Sequence, residues 1–213
     1  MTVGDNLDGS SAAPRQPPLF AGVLIGGHSS RMGAPKALLA YRGRTLLDHV
    51  VACVRPHVEQ TVLLGTGPVP PACTDLRRLF DAPHLHGPLA GMLAAMRWRP
   101  DAAWLFVACD MPRISDDALD WLLRQRAPER WAIVPRIAPS HVEPLLAIYE
   151  PPARKLLEDA AARGIVAPNR LANDPSVFAP IVPAELRDAW SNVNTREDFE
   201  RLGGGGAPHD AAH

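Results

Sequence analysis

Short apolar runs alternate along the first half of the chain with apolar residues at helical spacing. Residues 19–25 and 104–108 are almost continuously apolar, and residues 61–64 form a shorter apolar and β-branched run. A continuously apolar strand is typical of a sheet that is covered on both faces. Between the runs 19–25 and 61–64 lies an apolar stripe at helical spacing. It stops at Pro56 and consists of Leu46, Leu47, Val50, Val51 and Val54. The pattern predicts a strand, a helix and a strand in turn.

The same alternation continues through the second half. We predict a helix after Gly87-Pro88, a helix capped by Ser115, strands at 131–134 and 145–149, a helix at 153–163 closed by Gly164, and a short helix after Thr195. Serine and threonine favour helix starts, and glycine favours helix ends. Strands that alternate with helices predict an α/β fold, with a single doubly wound, mostly parallel sheet and helices on both faces. Ligands of such sheets bind at the carboxyl ends of the strands.

Length, charge and cysteine content narrow the classes of protein. The 213 residues carry a formal net charge of −1, which gives no basis for a nucleic-acid partner. The chain contains no run of about 18 apolar residues, so the sequence gives no basis for a membrane partner either. The three cysteines form no CxxC pair, and their odd number argues against a disulfide framework, so we expect a cytoplasmic protein. We expect one domain at residues 19–202, between a disordered N-terminal tail, 1–18, and a flexible C-terminal tail, 203–213.

A glycine-rich loop after the first predicted strand is a candidate phosphate site. The strand ends in Gly26 and Gly27, whose lack of side chains lets backbone N–H groups approach an anion closely. Arg31 and Lys36 then place two cations five residues apart. The spacing matches neither the dinucleotide-binding fingerprint nor the Walker A loop. Taken alone, these residues also fit a strand, a glycine turn and two solvated cations.

Asp110 follows the strand predicted at 104–108, so we expect it on the same edge of the sheet as Arg31 and Lys36. A carboxylate beside a phosphate site suits Mg²⁺, which binds proteins through one or two carboxylates and completes its coordination with substrate phosphates. Alternatively, Asp110 caps the turn before Pro112 or pairs with a cation.

Two further loops carry groups that suit a ligand. Gly87-Pro-Leu-Ala-Gly91 stands at a predicted helix start, where exposed N–H groups can meet an anion or the edge of a base. The same proline also fits an ordinary helix start. Asn192 and Asn194 precede the last helix and can both offer amides to a ligand, although an asparagine turn before an N-cap has the same pattern.

Together these segments resemble the molybdenum cofactor guanylyltransferase family. The matching segments are Leu24-Ile-Gly-Gly27, Ser30-Arg-Met-Gly33 with Lys36, Gly87-Pro-Leu-Ala-Gly91, and Asn192-Val-Asn-Thr195. The segment from Glu143 to Tyr149 also resembles the family's penultimate strand region, so the similarity spans about residues 22–202. Two departures concern the nucleotide: Ile25 replaces a common alanine, and the second strand ends in Gly65-Thr66, where many members carry an asparagine.

The resemblance implies a Rossmann-like nucleotidyltransferase fold and a Mg²⁺-dependent reaction. In that reaction the terminal phosphate of molybdenum-bound molybdopterin would attack the α-phosphate of GTP, and pyrophosphate would leave. Arg31 and Lys36 would hold the β- and γ-phosphates, and Asp110 would bind the metal. Asp81 would represent an acidic residue that the family carries shortly before Gly87. The resemblance implies contacts with GTP or the pterin cofactor at Leu24, Ile25, Gly26, Gly27, Arg31, Lys36, Gly65, Asp81, Gly87, Pro88, Leu89, Ala90, Gly91, Asp110, Asn192 and Asn194.

The expected partners follow from the same resemblance. They are GTP, the molybdopterin cofactor, and a cofactor-delivery protein or molybdoenzyme that receives the product. Guanine fits because Gly26 and Gly27 leave room for a purine, and because its N1–H and exocyclic amine donate to carbonyls or a carboxylate. The alternatives are a related transferase that uses CTP or another phosphate acceptor, and a nucleotide-binding module without chemistry. The presence of both Lys36 and Asp110 argues against pure binding.

Overall fold

The computed structural model of the chain describes residues 16–26, 34–165 and 167–203. Within these ranges the α-helices are α1 (Leu46–Val54), α2 (Pro88–Trp98), α3 (Asp116–Leu123), α4 (Ala153–Ala162) and α5 (Arg196–Arg201). The strands are β1 (Leu19–Leu24), β2 (Ala40–Tyr41), β3 (Arg44–Thr45), β4 (Gln60–Leu64), β5 (Arg78–Leu79), β6 (Ala103–Ala108), β7 (Ala132–Ile133), β8 (Arg136–Ala138), β9 (His141–Val142), β10 (Leu146–Tyr149) and β11 (Val177–Phe178).

Seven of these strands form one sheet in the order β11-β7-β10-β6-β1-β4-β5. Strand β1 pairs in parallel with β4 on one side and with β6 on the other. Strand β10 is antiparallel to both of its neighbours, and the remaining pairs are parallel. The chain leaves β1 toward β4 and later returns to the opposite side of β1 with β6. This arrangement creates a switch point beside β1, where open α/β sheets bind their ligands.

Alternating residues of β1 pack on opposite faces of this sheet. Ala21 and Val23 belong to a core that also contains apolar residues of α1 and α3. Phe20 and Leu24 belong to a second core that contains apolar residues of α2 and α4. Each fully buried Val, Leu or Phe side chain stabilises the fold by about 1.5–3 kcal/mol, so the two cores hold the strand ends in fixed positions.

Three predicted helix boundaries carry the expected groups. Ser115 Oγ accepts a hydrogen bond from Ala118 N at 3.4 Å at the start of α3. Thr195 and Asp198 form a capping box at the start of α5. Gly164, after α4, has a φ of 69°, a left-handed value that glycine adopts without steric cost. The local sequence therefore determines where these helices begin and end.

The predicted architecture, a doubly wound and mostly parallel sheet with helices on both faces, is confirmed. The apolar pattern does not predict the reversed direction of β10. It also does not predict the hairpins β2–β3 and β8–β9, or the two-residue edge strands β5 and β11. Strand direction leaves no trace in the spacing of side chains, and elements this short contain no full period.

The described residues also include the end of the predicted N-terminal tail. The carbonyl groups of Pro17 and Pro18, which the sequence places in the N-terminal tail, accept hydrogen bonds from Arg126 Nη2 and Ala103 N. No helix among the described residues combines the length and the apolar character that crossing a membrane requires.

Candidate active site

A cleft of about 890 Å³ opens at the carboxyl ends of β1, β4 and β6. Its walls include Ile25 and Gly26 after β1, residues 65–68 after β4, and Cys109 and Asp110 after β6. The predicted site residues that line it are Leu24, Ile25, Gly26, Lys36, Gly65, Asp81, Gly87, Pro88, Asp110 and Asn192. The cleft therefore lies at the edge of the sheet where the strand order places a ligand.

Lys36 and Asp110 meet in this cleft. Lys36 Nζ donates to Asp110 Oδ2 at 2.6 Å, and to Asn194 Oδ1 at 3.1 Å. The three residues come from a 3-10 turn at Lys36–Leu38, the loop after β6, and the loop before α5. The side chains of Lys36 and Asp110 are 21% and 14% exposed, so water still reaches the pair. The structure thus brings Lys36 and Asp110 together on one edge of the sheet, as the strand order predicts, while their roles remain predictions.

Two buried side-chain oxygen atoms of the cleft have no hydrogen-bond partner among the described residues. They are Asp110 Oδ1 and Asn192 Oδ1, and both residues line the cleft. A buried acceptor left without a partner costs about 1–3 kcal/mol, so two such atoms in one cleft favour a group that donates to them or is coordinated by them. Carboxylate and amide oxygens are ligands that suit a hard cation such as Mg²⁺.

Glu143 is a buried carboxylate of this site that sequence reasoning missed. It is 7% exposed, and it accepts hydrogen bonds from Leu145 N at 3.0 Å and from Asn192 Nδ2 at 3.3 Å. Burial raises the pKa of this carboxyl, and the charge of Asp110 adds to the effect. Because an ionised carboxylate only accepts, its bond to Nδ2 leaves Asn192 Oδ1 available to a ligand. No spacing in the sequence connects Glu143 with Asn192, since the two lie on separate loops.

A second part of the cleft is lined by backbone and by Asp81, which follows β5. Strands β5 and β6 are separated by β1 and β4, so about 14 Å of sheet lies between them at roughly 4.8 Å per strand. Gly65 has a φ of 100°, and a Cβ there would lie 3.3 Å from Gly26 N and 3.8 Å from Asp81 Oδ1. A Cβ on Gly91 would lie 3.5 Å from the same carboxylate oxygen. The glycines therefore allow the Asp81 carboxylate to approach the backbone of the cleft.

Some predicted contacts lie elsewhere. Leu89 and Ala90 are 1% and 0% exposed, and their side chains pack in the core on the inner side of α2, while the contact of these two residues with a ligand stays a prediction. Their side chains face the sheet because the first turn of α2 must bury its apolar residues. Gly91 packs against Leu64 and Asp81. Gly27 and Arg31 lie outside the described residues.

Cys109 lines the cleft directly beside Asp110, but its thiol is poorly suited to nucleophilic chemistry. Burial raises the pKa of Cys109 to about 12, and the neighbouring charge of Asp110 contributes to this shift. The thiolate, which is the reactive form, is therefore scarce near neutral pH. The polar groups that remain for chemistry are a cation, carboxylates and amides.

The sequence that forms this cleft matches the model of a known family. A model of the MobA-like NTP transferase domain matches residues 21–173, which include most of β1 together with Lys36 and Asp110. The chain belongs to this family. A relative from Bacillus anthracis (strain CDC 684 / NRRL 3495), named probable molybdenum cofactor guanylyltransferase, is 31% identical over 190 residues, or 84% of this chain and 94% of the relative. A relative of the same name from Bacillus mycoides is 29% identical over 187 residues, or 83% and 92%.

Solved structures resemble this MobA-like domain over most of its length. Molybdopterin-guanine dinucleotide biosynthesis protein A from Archaeoglobus fulgidus has a TM-score of 0.71 and 25% identity, covering 86% of this chain and 96% of that one. A 2-C-methyl-D-erythritol 4-phosphate cytidylyltransferase from Thermus thermophilus shares the fold, with a TM-score of 0.61 and 17% identity over 88% and 97% of the two chains. By family and fold, the protein is a nucleotidyltransferase.

Proposed function

We propose that this MobA-like protein is a Mg²⁺-dependent molybdenum cofactor guanylyltransferase. It transfers GMP from GTP to the phosphate of molybdenum-bound molybdopterin and releases pyrophosphate. The observation that carries the proposal is the contact of Lys36 with Asp110, beside an Asp110 oxygen that has no partner among the described residues. The relatives named guanylyltransferase, and the A. fulgidus protein, support the choice of this reaction.

The donor set fits a magnesium ion that is completed by substrate. Asp110 Oδ1 and Asn192 Oδ1 are the oxygens that would hold it. The described residues contain no group of three or more His, Cys, Asp or Glu side chains that could enclose a metal. Mg²⁺ commonly binds in this way, with few protein ligands and several phosphate oxygens and waters. When bound, the ion neutralises the charge that develops on the phosphates.

Lys36, which lines the cleft, would bind and orient the triphosphate together with Arg31. Lys36 Nζ would exchange its bond with Asp110 for a phosphate oxygen when GTP and metal arrive, and Arg31 would hold the same phosphates from the loop before it. The attacking group is already a phosphate, so no side chain needs to remove a proton from it. Positioning in line and electrostatic stabilisation then supply the catalysis. Because the attacking phosphate needs no base, the reaction does not require a thiolate, in agreement with the raised pKa of Cys109.

Asp81 gives the second part of the cleft an acceptor for a guanine base. The N1–H and exocyclic amine of guanine can donate to its carboxylate, which lies close to Gly65 and Gly91. A wrong base that covers this exposed carboxylate without donating to it leaves a buried acceptor unpaired, at a cost of about 1–3 kcal/mol. Asn194, beside Lys36, remains for the pterin side of the reaction.

A second candidate is transfer of CMP to the same cofactor. Gly65-Thr66 stands where many guanylyltransferases carry an asparagine, and Ile25 stands where alanine is common, so the base site differs from theirs. Pyrophosphate release with each nucleoside triphosphate, in the presence and absence of molybdopterin cofactor, tests both candidates. We expect release only with GTP, cofactor and Mg²⁺ together, and its loss in Asp110→Asn. Release with CTP alone among the nucleotides would replace the first candidate by the second.

A further inference from the structure

Arg78, which no motif singled out, holds the loop after β4 by two carbonyl groups. Its Nε donates to Gly65 O at 2.7 Å, and its Nη2 donates to Gly67 O at 2.8 Å. The ring of Phe80 covers the guanidinium, with Arg78 Cζ 5.4 Å from the ring centroid. The planar guanidinium has donors in fixed directions and therefore binds both carbonyls at once. A lysine ammonium has no such rigid pair of donors.

This clamp determines which side of the Gly65–Thr66 peptide faces the cleft. Gly65 and Thr66 line the cleft, whereas Arg78 is not among the described residues that line it. The described chain has no cis peptide bond, and in a trans peptide the C=O and the following N–H point in opposite directions. Because Gly65 O points at Arg78, the Thr66 N–H points away from Arg78, which is not among the described residues that line the cleft.

The clamped loop is also packed tightly against the end of β1. A Cβ on Gly67 would lie 1.9 Å from Ile25 O, so the two backbones are in direct contact. Gly65 N donates to Leu79 O at 2.9 Å, and Ile25 N donates to Leu64 O at 2.9 Å. A movement of this loop would therefore move the backbone at Ile25, which also lines the cleft.

We propose that Arg78 is a positioning residue for base selection, an inference that rests on the proposed guanylyltransferase function. By holding the loop, Arg78 presents the Thr66 N–H beside the Asp81 carboxylate. This pair of groups suits the edge of guanine, where the O6 acceptor adjoins the N1–H and amine donors. Adenine presents a different order of donors and acceptors and would leave groups unpaired. Arg78 thus affects base recognition without touching the nucleotide.

The test compares Arg78→Met and Arg78→Lys with Arg77→Met as a matched control. Arg77 is the neighbouring residue in sequence and stacks on Trp98, with Arg77 Cζ 5.2 Å from the ring centroid. Steady-state kinetics with GTP and ATP report base selection, and calorimetric binding of inorganic tripolyphosphate reports the phosphate site alone. In Arg78→Met we expect KM for GTP to rise about tenfold and kcat to change by less than about twofold. The preference for GTP over ATP should fall while tripolyphosphate affinity stays unchanged.

Arg78→Lys should be intermediate, because a lysine keeps the charge and can reach one carbonyl, and Arg77→Met should behave as wild type. If Arg78→Met fails to fold, the selectivity of Arg78→Lys decides the question. Wild-type GTP preference in the Arg78 variants, or an equal loss of tripolyphosphate binding, would overturn the role of Arg78 and leave the guanylyltransferase function standing. A wild-type protein that does not prefer GTP would overturn both.

Discussion

Lys36 Nζ lies 2.6 Å from Asp110 Oδ2, although 74 residues separate the two in the chain. The contact exists because Lys36 follows β1 and Asp110 follows β6, and these strands are parallel neighbours in the sheet. In this contact, the cation and the carboxylate neutralise each other. Binding of a metal and a triphosphate would separate them, with the metal on Asp110 and a phosphate on Lys36.

Replacement of Lys36 by methionine tests this exchange. Loss of a charged hydrogen bond to phosphate costs about 1.5–3 kcal/mol, so kcat/KM should fall about tenfold to a hundredfold. Without its competitor, Asp110 should bind Mn²⁺ more tightly in the nucleotide-free variant, which titration by electron paramagnetic resonance measures. Lys155→Met, which removes an exposed pair with Asp159 on α4, is the control and should change neither quantity. Unchanged Mn²⁺ affinity in Lys36→Met would mean that the pair is not a competition for the metal site.

Asp110→Asn separates the charge of this residue from its size. Asparagine keeps the volume and an oxygen that can accept from Lys36, so we expect an unchanged fold. The variant should lose about a hundredfold or more in turnover, because a preorganised charge at the reacting phosphates is removed. Turnover measured at limiting Mg²⁺, with circular dichroism as the folding control, checks this expectation. Near-normal activity under those conditions would show that Asp110 is not a metal ligand.

Alanine substitutions at two glycines of the cleft should separate an effect on GTP binding from an effect on packing. Apart from Gly26 itself and its chain neighbours, no described atom lies within 4 Å of a Cβ placed on Gly26, whereas a Cβ on Gly67 would meet Ile25 O at 1.9 Å. Gly26→Ala should therefore keep its melting temperature but bind GTP more weakly, because the methyl group obstructs the approach of phosphate to the backbone. Gly67→Ala should lose about 1–3 kcal/mol of unfolding free energy through overpacking. Denaturant unfolding and GTP titration of both variants check the contrast, and normal GTP affinity in Gly26→Ala would contradict it.

The position of the site followed from the sequence because it depends on regular elements. Apolar runs placed β1 and β6, and the rule for parallel sheets then placed Lys36 and Asp110 on one edge. The caps at Ser115 and Thr195 were equally predictable, since each is a local hydrogen bond between residues three apart.

The remaining parts of the site depend on contacts that the sequence does not encode locally. Arg78 belongs to a two-residue edge strand and acts on carbonyl groups, which every residue possesses. Glu143 reaches Asn192 across 49 residues through a loop without periodicity. The motif that contains Leu89 and Ala90 marks the start of α2, but it does not indicate that the helix turns these two side chains toward the core.

The titration of His49, which contacts the loop that follows β6, links the stability of the fold to pH. Its Nε2 lies 2.9 Å from Pro112 O, and burial lowers the pKa of the imidazole from the ordinary 6.5, with Arg42 and Arg44 contributing in the same direction. Below pH 6.5 the unfolded chain therefore binds a proton at His49 more readily than the folded chain, so the free energy of unfolding falls as the pH decreases. His49→Gln, which keeps a donor for Pro112 O, should show a weaker decline between pH 7.5 and about 5.5 in denaturant unfolding. An identical decline in both proteins would assign it to other groups.

Product analysis in a competition tests the proposed reaction most directly. The protein is incubated with Mg²⁺, molybdopterin cofactor and equal concentrations of GTP and CTP, and mass spectrometry identifies the dinucleotide while pyrophosphate is quantified. The account predicts the guanine dinucleotide of the cofactor in excess, with one pyrophosphate released for each molecule formed. An equal or larger amount of the cytosine dinucleotide, or pyrophosphate without any dinucleotide, would contradict it.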